Sequence, residues 1–301
     1  MDKPTRAQAR VLKHLQNQSV ELHKMIAAAT ERTHTGETVP QTWYEHFHGR
    51  AVLHEELQRA AVAAGIPRTW IDHVKERGER NVRWRKELYL RAPEPVDRPK
   101  RLAALGADVQ RLREWTTVHA AYPGIGGQSE AATASDVDRA LHALWARSAA
   151  VAHILGVTRE EAETLWGTTQ NWVDTANETI AGIEREQPLS QRWRDIANAD
   201  TLAYALQAVA LKHAGITAAT PSAPPDTAET IPRIRAVLNA ATAASVVDTE
   251  TPRIQTNAAI EAAFPTFSDP IAEPNPHYNI WAEIDSVAPE FSSAAGPDLS
   301  P

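Results

Sequence analysis

The sequence predicts an all-α protein, a helical bundle followed by an acidic tail. Before residue 215, almost every patterned segment repeats apolar residues at spacings of three and four, which is typical of helices that bury one face. No segment shows a sustained apolar–polar alternation bounded by turns, as a strand would. With 301 residues, 43% hydrophobic and 23% charged, the chain is long enough and apolar enough for one large or two ordinary domains.

Residues 1–92 are predicted to form an N-terminal helical subdomain. Two long helices are expected, over residues 6–29 and 42–64. A shorter helix follows Pro67, a residue suited to the first helical turn because its missing N–H is not needed there. Gly78 predicts an interruption of that helix. The prolines of RAPEPVDRPK then indicate a linker over residues 93–100.

A second helical subdomain is predicted over residues 101–215. Ser135 is a candidate N-cap for one of its helices, and Thr158 with Glu161 matches a capping box for another. Beyond it, residues 216–301 hold twelve of the twenty prolines and are rich in Ala, Ser, Thr and Asp. This composition predicts a largely disordered tail with two short helical segments.

A weak internal repeat favours two related subdomains. The segment AVAAGIPRTWIDHV (61–74) aligns without gaps with AHILGVTREEAETL (152–165), and Gly65 falls over Gly156. A helical unit repeated about 91 residues apart is one explanation. Chance similarity is the other.

Composition and local patterns exclude several classes of protein. The absence of cysteine removes disulfides and zinc–thiolate sites and fits a reducing cytoplasm. No run approaches the ~20 apolar residues that span a bilayer, and the N-terminus lacks the apolar core of a signal peptide. We therefore expect a cytoplasmic protein with no membrane partner.

No catalytic residue, metal site or cofactor is predicted. Seven of the twelve histidines lie before residue 74, but there is no HExxH motif. On a helix, His46 and His48 would point about 200° apart, whereas a pair of metal ligands needs a spacing of three or four. The loop YPGIGGQ lacks the Lys-Ser/Thr that follows a phosphate-binding glycine loop. A non-enzymatic function is expected.

The segment from 57 to 76 resembles the helix-turn-helix motif of bacterial and phage DNA-binding proteins. Ala61 is a small residue before the turn, Gly65 tolerates a positive φ, and apolar residues such as Ile66 follow. The resemblance implies that the helix after Pro67 lies in the major groove. The candidate DNA-contacting residues are Arg68, Thr69, His73, Lys75, Arg77, Arg80, Arg83, Arg85 and Lys86.

Charge, more than the turn, supports a polyanion partner. The net charge is −7, but residues 215–301 carry −8, and residues 68–101 hold eleven bases against six acids. The aligned second segment keeps the apolar frame with an acidic exposed face, so the frame alone does not predict DNA binding.

The leading hypothesis is a DNA-binding protein, in transcription regulation or DNA maintenance. The alternative is a structural or adaptor protein whose bundle binds a protein partner or a second copy of itself.

Overall fold

The computed structural model describes residues 3–85, 89–122, 131–218 and 220–249. These residues form eleven helices and no strand, which confirms the predicted all-α fold. The helices are α1 (Arg6–His34), α2 (Gln41–Ala63), α3 (Arg68–Glu79), α4 (Arg98–Ala121), α5 (Ala131–Leu155), α6 (Arg159–Leu165), α7 (Thr169–Asp174), α8 (Ala176–Glu186), α9 (Leu189–Ala197), α10 (Leu202–His213) and α11 (Thr227–Thr249). The predicted disorder and acidic tail of residues 250–301 lie outside the described ranges.

The helix starts follow local capping chemistry. At α6 the Thr158 hydroxyl accepts from the Glu161 backbone N–H at 3.2 Å, and the Glu161 carboxylate accepts from the Thr158 N–H at 2.9 Å, as the sequence predicted. Thr5 and Gln8 form the equivalent reciprocal pair at the start of α1. The predicted N-cap at Ser135 is wrong, because α5 already begins at residue 131.

The turn at Gly65 is a helix C-cap that this chain uses repeatedly. Gly65 has φ +73°, its N–H donates to Val62 O, and the next N–H, that of Ile66, donates to Ala61 O. This pair of bonds is the Schellman motif. The aligned turn at Gly156 makes the same two bonds. The chain repeats the pattern at Gly36, Asn81 and Gly215. The turn therefore reflects helix termination, and by itself it does not indicate DNA binding.

Gly78 lies in the last turn of α3, which ends one residue later at Glu79, close to the predicted interruption. At this glycine α3 crosses α1 at close range. A Cβ on Gly78 would lie 2.4 Å from Ser19 Cβ and 2.5 Å from the Gln16 carbonyl oxygen. Only a residue without a side chain permits this approach. Packing of α3 against α1 exceeds its packing against α2.

The two predicted subdomains form one compact unit that extends to Thr249. A buried polar chain crosses their predicted boundary. Gln207 Nε2 donates to Glu56 Oε2 at 2.9 Å, Arg147 Nε donates to Gln207 Oε1 at 3.0 Å, and the Arg147 guanidinium also binds Asp108. The chain thus joins α2, α10, α5 and α4. All four side chains are buried or nearly so, and each charged group has a partner.

The compact unit also includes residues that the sequence assigned to the tail. Helix α11 packs against α4, α7 and α8, and Ile234 on it is fully buried with Ala120, Val173 and Ala176. The predicted boundary at residue 216 is therefore too early. Among the described residues, no helix combines the length and apolar character that a bilayer crossing requires.

Two histidines, His54 on α2 and His14 on α1, are buried or half-buried. His54 is 6% exposed, and its Nε2 lies 3.2 Å from the Ser19 hydroxyl. Burial, with the nearby charges of Lys75 and His14, lowers the pKa of His54 to about 4. Burial, with the charge of His213, lowers the pKa of His14 to about 4 as well. Both imidazoles are therefore neutral in the folded protein at neutral pH.

The crossing at Gly78 predicts a large effect of a single methyl group. Gly78→Ala must push α3 away from α1, so we expect the free energy of unfolding to fall by about 2 kcal/mol or more. Gly49→Ala is the matched control, since nothing lies within 4 Å of its added Cβ on α2. There the better helix propensity of alanine should raise stability by about 0.5–1 kcal/mol. Urea denaturation followed by circular dichroism measures both. Equal midpoints for the two variants would contradict the close crossing.

The neutral histidines predict a loss of stability in acid. Their folded pKa lies below the unfolded value of 6.5, so their contribution is complete above pH 6.5 and is lost as pH falls towards 4. Each should cost about 2–3 kcal/mol between pH 7 and pH 4.5. His54→Gln should lose less stability over this interval than wild type, as measured by urea unfolding at both pH values.

His23→Gln is the control for that measurement, because His23 is exposed on α1. Its stability should follow the wild-type pH profile. Parallel profiles for wild type and His54→Gln would show that His54 does not drive the acid sensitivity.

Candidate nucleic-acid interface

The solvent-facing row of α3 carries no net charge. Arg68, Asp72, Lys75 and Glu79 recur at spacings of four, three and four and therefore share one face of the helix. Arg68, Lys75 and Glu79 are exposed, and Arg68 Nε lies 3.3 Å from Asp72 Oδ1. Because positive and negative groups alternate, this face offers a phosphate backbone little net attraction.

A neighbouring face of α3 is covered by residues 89–97, which we call the strap. Trp70 Nε1 donates to the Arg91 carbonyl oxygen at 2.9 Å. The Arg91 guanidinium binds both carboxylate oxygens of Glu76, at 2.7 and 3.3 Å. At the start of the helix, the Arg68 backbone N–H donates to Glu94 Oε1 at 2.8 Å. The predicted linker is thus bound along the predicted recognition helix.

Three predicted DNA-contacting residues share the side of α3 that meets the strap. Thr69, His73 and Arg77 lie one helical turn apart, and His73 lies beside the Tyr89 backbone and Arg91. Thr69 Oγ1 and Arg77 Nε are buried without a hydrogen-bond partner. Burial, with the charges of Arg91 and Arg77, lowers the pKa of His73. A row of unsatisfied polar atoms of this kind is unusual in a folded protein.

The other predicted cations lie beyond the end of α3. Segment 82–85 runs along α1, because Gln16 Nε2 donates to Val82 O at 2.6 Å and the Trp84 N–H donates to Asn17 Oδ1 at 3.2 Å. Residues alternate in this extended segment, so Arg83 and Arg85 are exposed while their neighbours face α1. Arg80 is exposed at the helix end, and Lys86 lies outside the described residues.

Helix α1 adds cations that sequence reasoning missed. Arg6, Arg10 and Lys13 are exposed. They precede Asn17 and Glu21 on the same helix face, and both of these residues contact segment 82–85. We call the set formed by Arg6, Arg10, Lys13, Arg83 and Arg85 the basic stripe. From residue 6 to residue 21 the helix rises about 22 Å. The signal was present in the sequence, since residues 3–20 contain four bases and no acid.

One acid beside the basic stripe, Glu21, is already paired with bases. Glu21 Oε1 accepts from Arg83 at 2.8 Å and from Lys24 at 3.5 Å. For Arg6, Lys13 and Arg85, the described part of the chain provides no ion pair. Their charges are therefore available to an external anion.

A second exposed surface is the hairpin that α1 and α2 form away from the body. None of the residues 21–52, which we call the arm, is buried. Trp43 stacks on Phe47 with ring centroids 5.1 Å apart, and Tyr44 and Ile26 are 52% and 48% exposed. Large apolar side chains that remain this accessible on one element are typical of a protein-binding surface.

No three His, Cys, Asp or Glu side chains in the described ranges are placed to hold a metal ion. A cavity of about 870 Å³ lies between α4, α8 and α9. At its wall, Arg192 Nε donates to Glu114 at 2.6 Å and Arg113 binds the Thr175 hydroxyl.

Comparison with protein-family models, with curated proteins and with solved structures found no match to this chain.

Proposed function

We propose that the protein is a non-enzymatic DNA-binding protein that contacts phosphates through the basic stripe. The observation that supports this function is the meeting of two cationic segments more than 60 residues apart, α1 and residues 82–85, on one exposed surface. A surface with five cations and one neutralised acid attracts a polyanion even though the whole chain carries −7.

The geometry favours contact with the phosphate backbone of DNA over contact with base edges. The cations of the stripe are long, exposed side chains on a helix face and an extended segment, and such groups typically bind phosphate oxygens. Phosphate contacts position a protein on the duplex with little sequence preference, and their affinity falls steeply with salt. A role in regulating or maintaining DNA is consistent with this mode of binding.

Removing pairs of stripe cations should weaken DNA binding and lower its salt dependence. We expect Arg83→Ala/Arg85→Ala and Arg10→Ala/Lys13→Ala each to raise Kd about tenfold at ~100 mM salt. Each pair should also reduce the slope of log K against log salt by about 2, since each phosphate contact contributes about 0.9. Fluorescence anisotropy with a labelled duplex, over ~50–200 mM salt, measures both quantities.

A charge-matched control separates the stripe from net charge. Arg159→Ala/Arg185→Ala removes two exposed arginines on α6 and α8, outside the helices that pack against α1. This variant should keep nearly the wild-type affinity and slope. If wild type does not bind DNA at ~50 mM salt, or the control loses as much affinity as the stripe variants, the proposed function is incorrect.

An adaptor function is the second candidate, and the arm favours it. In this alternative the exposed aromatic residues of the arm bind a protein partner or the arm of a second copy, and the basic stripe is only a solvated surface. The arm supports this candidate because its accessible apolar side chains cover none of the core.

The self-association form of this candidate predicts a dimer that depends on the arm. Light scattering should give about twice 33.0 kDa for wild type, and Ile26→Glu/Tyr44→Glu should give a monomer with unchanged helicity. Leu202→Glu is the control, since Leu202 is 54% exposed but lies on α10, outside the arm. A wild-type monomer at ~100 μM would exclude pairing of two copies through the arm.

A further inference from the structure

The strap offers α3 the contacts that a nucleic-acid strand would offer. The positive end of a helix dipole and its unpaired N–H groups bind anions, phosphates in particular. In this protein the Glu94 carboxylate occupies that position, 2.8 Å from the Arg68 backbone N–H. The strap therefore places a negative group where the helix-turn-helix resemblance would place a backbone phosphate.

The strap also cancels a charge that would oppose nucleic acid. Glu76 faces the strap and would repel a phosphate chain if it were unpaired. The Arg91 guanidinium binds both of its carboxylate oxygens, and the pair lowers the pKa of Glu76. If the strap is displaced, the Arg91 guanidinium can bind either Glu76 or a phosphate.

The covered face of α3 is incomplete in its hydrogen bonding. Thr69 Oγ1 and Arg77 Nε are shielded from water without a partner. A face packed permanently would be expected to satisfy these groups, because each buried unsatisfied polar atom costs stability. The side chains of Thr69, His73 and Arg77 suit phosphate or base-edge contacts.

We propose that the strap is an intramolecular cover that nucleic acid displaces from α3, opening Thr69, His73 and Arg77 as a second contact surface. This inference rests on the proposed DNA-binding function. The strap occupies the covered face in the unbound protein, and phosphates compete with Glu94 for the start of α3.

The contacts that hold the strap are of a kind that a polyanion can replace. The Arg91–Glu76 pair is about half exposed on both sides, and exposed pairs of this sort are weak and screened by salt. Pro93 and Pro95 have no N–H to donate, so the strap leaves few backbone bonds behind when it moves. Its far end stays fixed at α4, where the Asp97 side chain accepts from the Lys100 N–H at 2.9 Å.

Weakening the cover should tighten DNA binding. Glu94→Gln keeps the size of the side chain and removes its charge, so we expect Kd for a duplex to fall about three- to tenfold at ~100 mM salt. Glu37→Gln is the matched control, because it makes the same change of net charge at an exposed residue between α1 and α2. It should change Kd by less than about twofold. Circular dichroism confirms that both variants keep wild-type helicity.

Cleavage of the strap provides a second measurement that does not depend on affinity. Trypsin cuts after Arg91, and binding of the strap to Trp70 and Glu76 should slow cleavage there. Addition of saturating duplex DNA should speed cleavage at Arg91–Ala92 by about fivefold or more, as followed by mass spectrometry of the fragments.

The outcomes separate this inference from the proposed function. Suppose wild-type binding depends on Arg83 and Arg85, but Glu94→Gln behaves as Glu37→Gln and DNA leaves the Arg91 cut unchanged or slower. The cover is then refuted, and the proposed function stands. If neither wild type nor Glu94→Gln binds DNA at ~50 mM salt, both are refuted. Tighter binding by Glu94→Gln together with faster cleavage supports the cover.

Discussion

The close crossing of α1 and α3 at Gly78 is the contact on which the candidate interface depends. Because Gly78 lets α3 approach the α1 backbone, the chain that leaves α3 runs directly along Gln16 and Asn17. That path turns Arg83 and Arg85 outward beside the cations of α1. A wider crossing would leave two separate basic segments. The electrostatic surface is therefore a result of packing, even though its charges come from local sequence.

The buried polar chain gives the rest of the unit a fixed arrangement. Glu56, Gln207, Arg147 and Asp108 come from four helices, and each satisfies the next. Removing one member would leave a buried charge without a partner, which is costly in a low-dielectric interior. Apolar packing alone tolerates sliding of helices, whereas hydrogen bonds of defined geometry do not. The buried polar chain in this way fixes the position of α2 relative to α4, α5 and α10.

The fold class was predictable and the interface only in part, for physical reasons. Helical periodicity and capping boxes involve only a few neighbouring residues, so Thr158 and Glu161 are enough to predict the start of their helix. The structural role of Gly78 depends on Ser19, a residue that only folding brings near. In a sequence, a glycine that ends a helix cannot be distinguished from one that permits close packing of two helices. The strap was missed as a ligand of α3 for a similar reason. Prolines indicate an extended linker, but nothing local shows that Glu94 binds the helix start 26 residues earlier.

The arm has a consequence for the way the protein opens. None of residues 21–52 is buried, so their two helical stretches are stabilised mainly by each other and, at the base of the arm, by the Glu21–Arg83 ion pair. Helical segments of this length are marginal alone in water, and local unfolding begins where few apolar contacts would be lost. Since α1 continues without a break from the arm into the core at Val20, the arm can melt as a separate cooperative unit while the first half of the same helix stays folded. One continuous helix therefore spans two levels of stability, and amide hydrogens along it should exchange with solvent at two distinct rates.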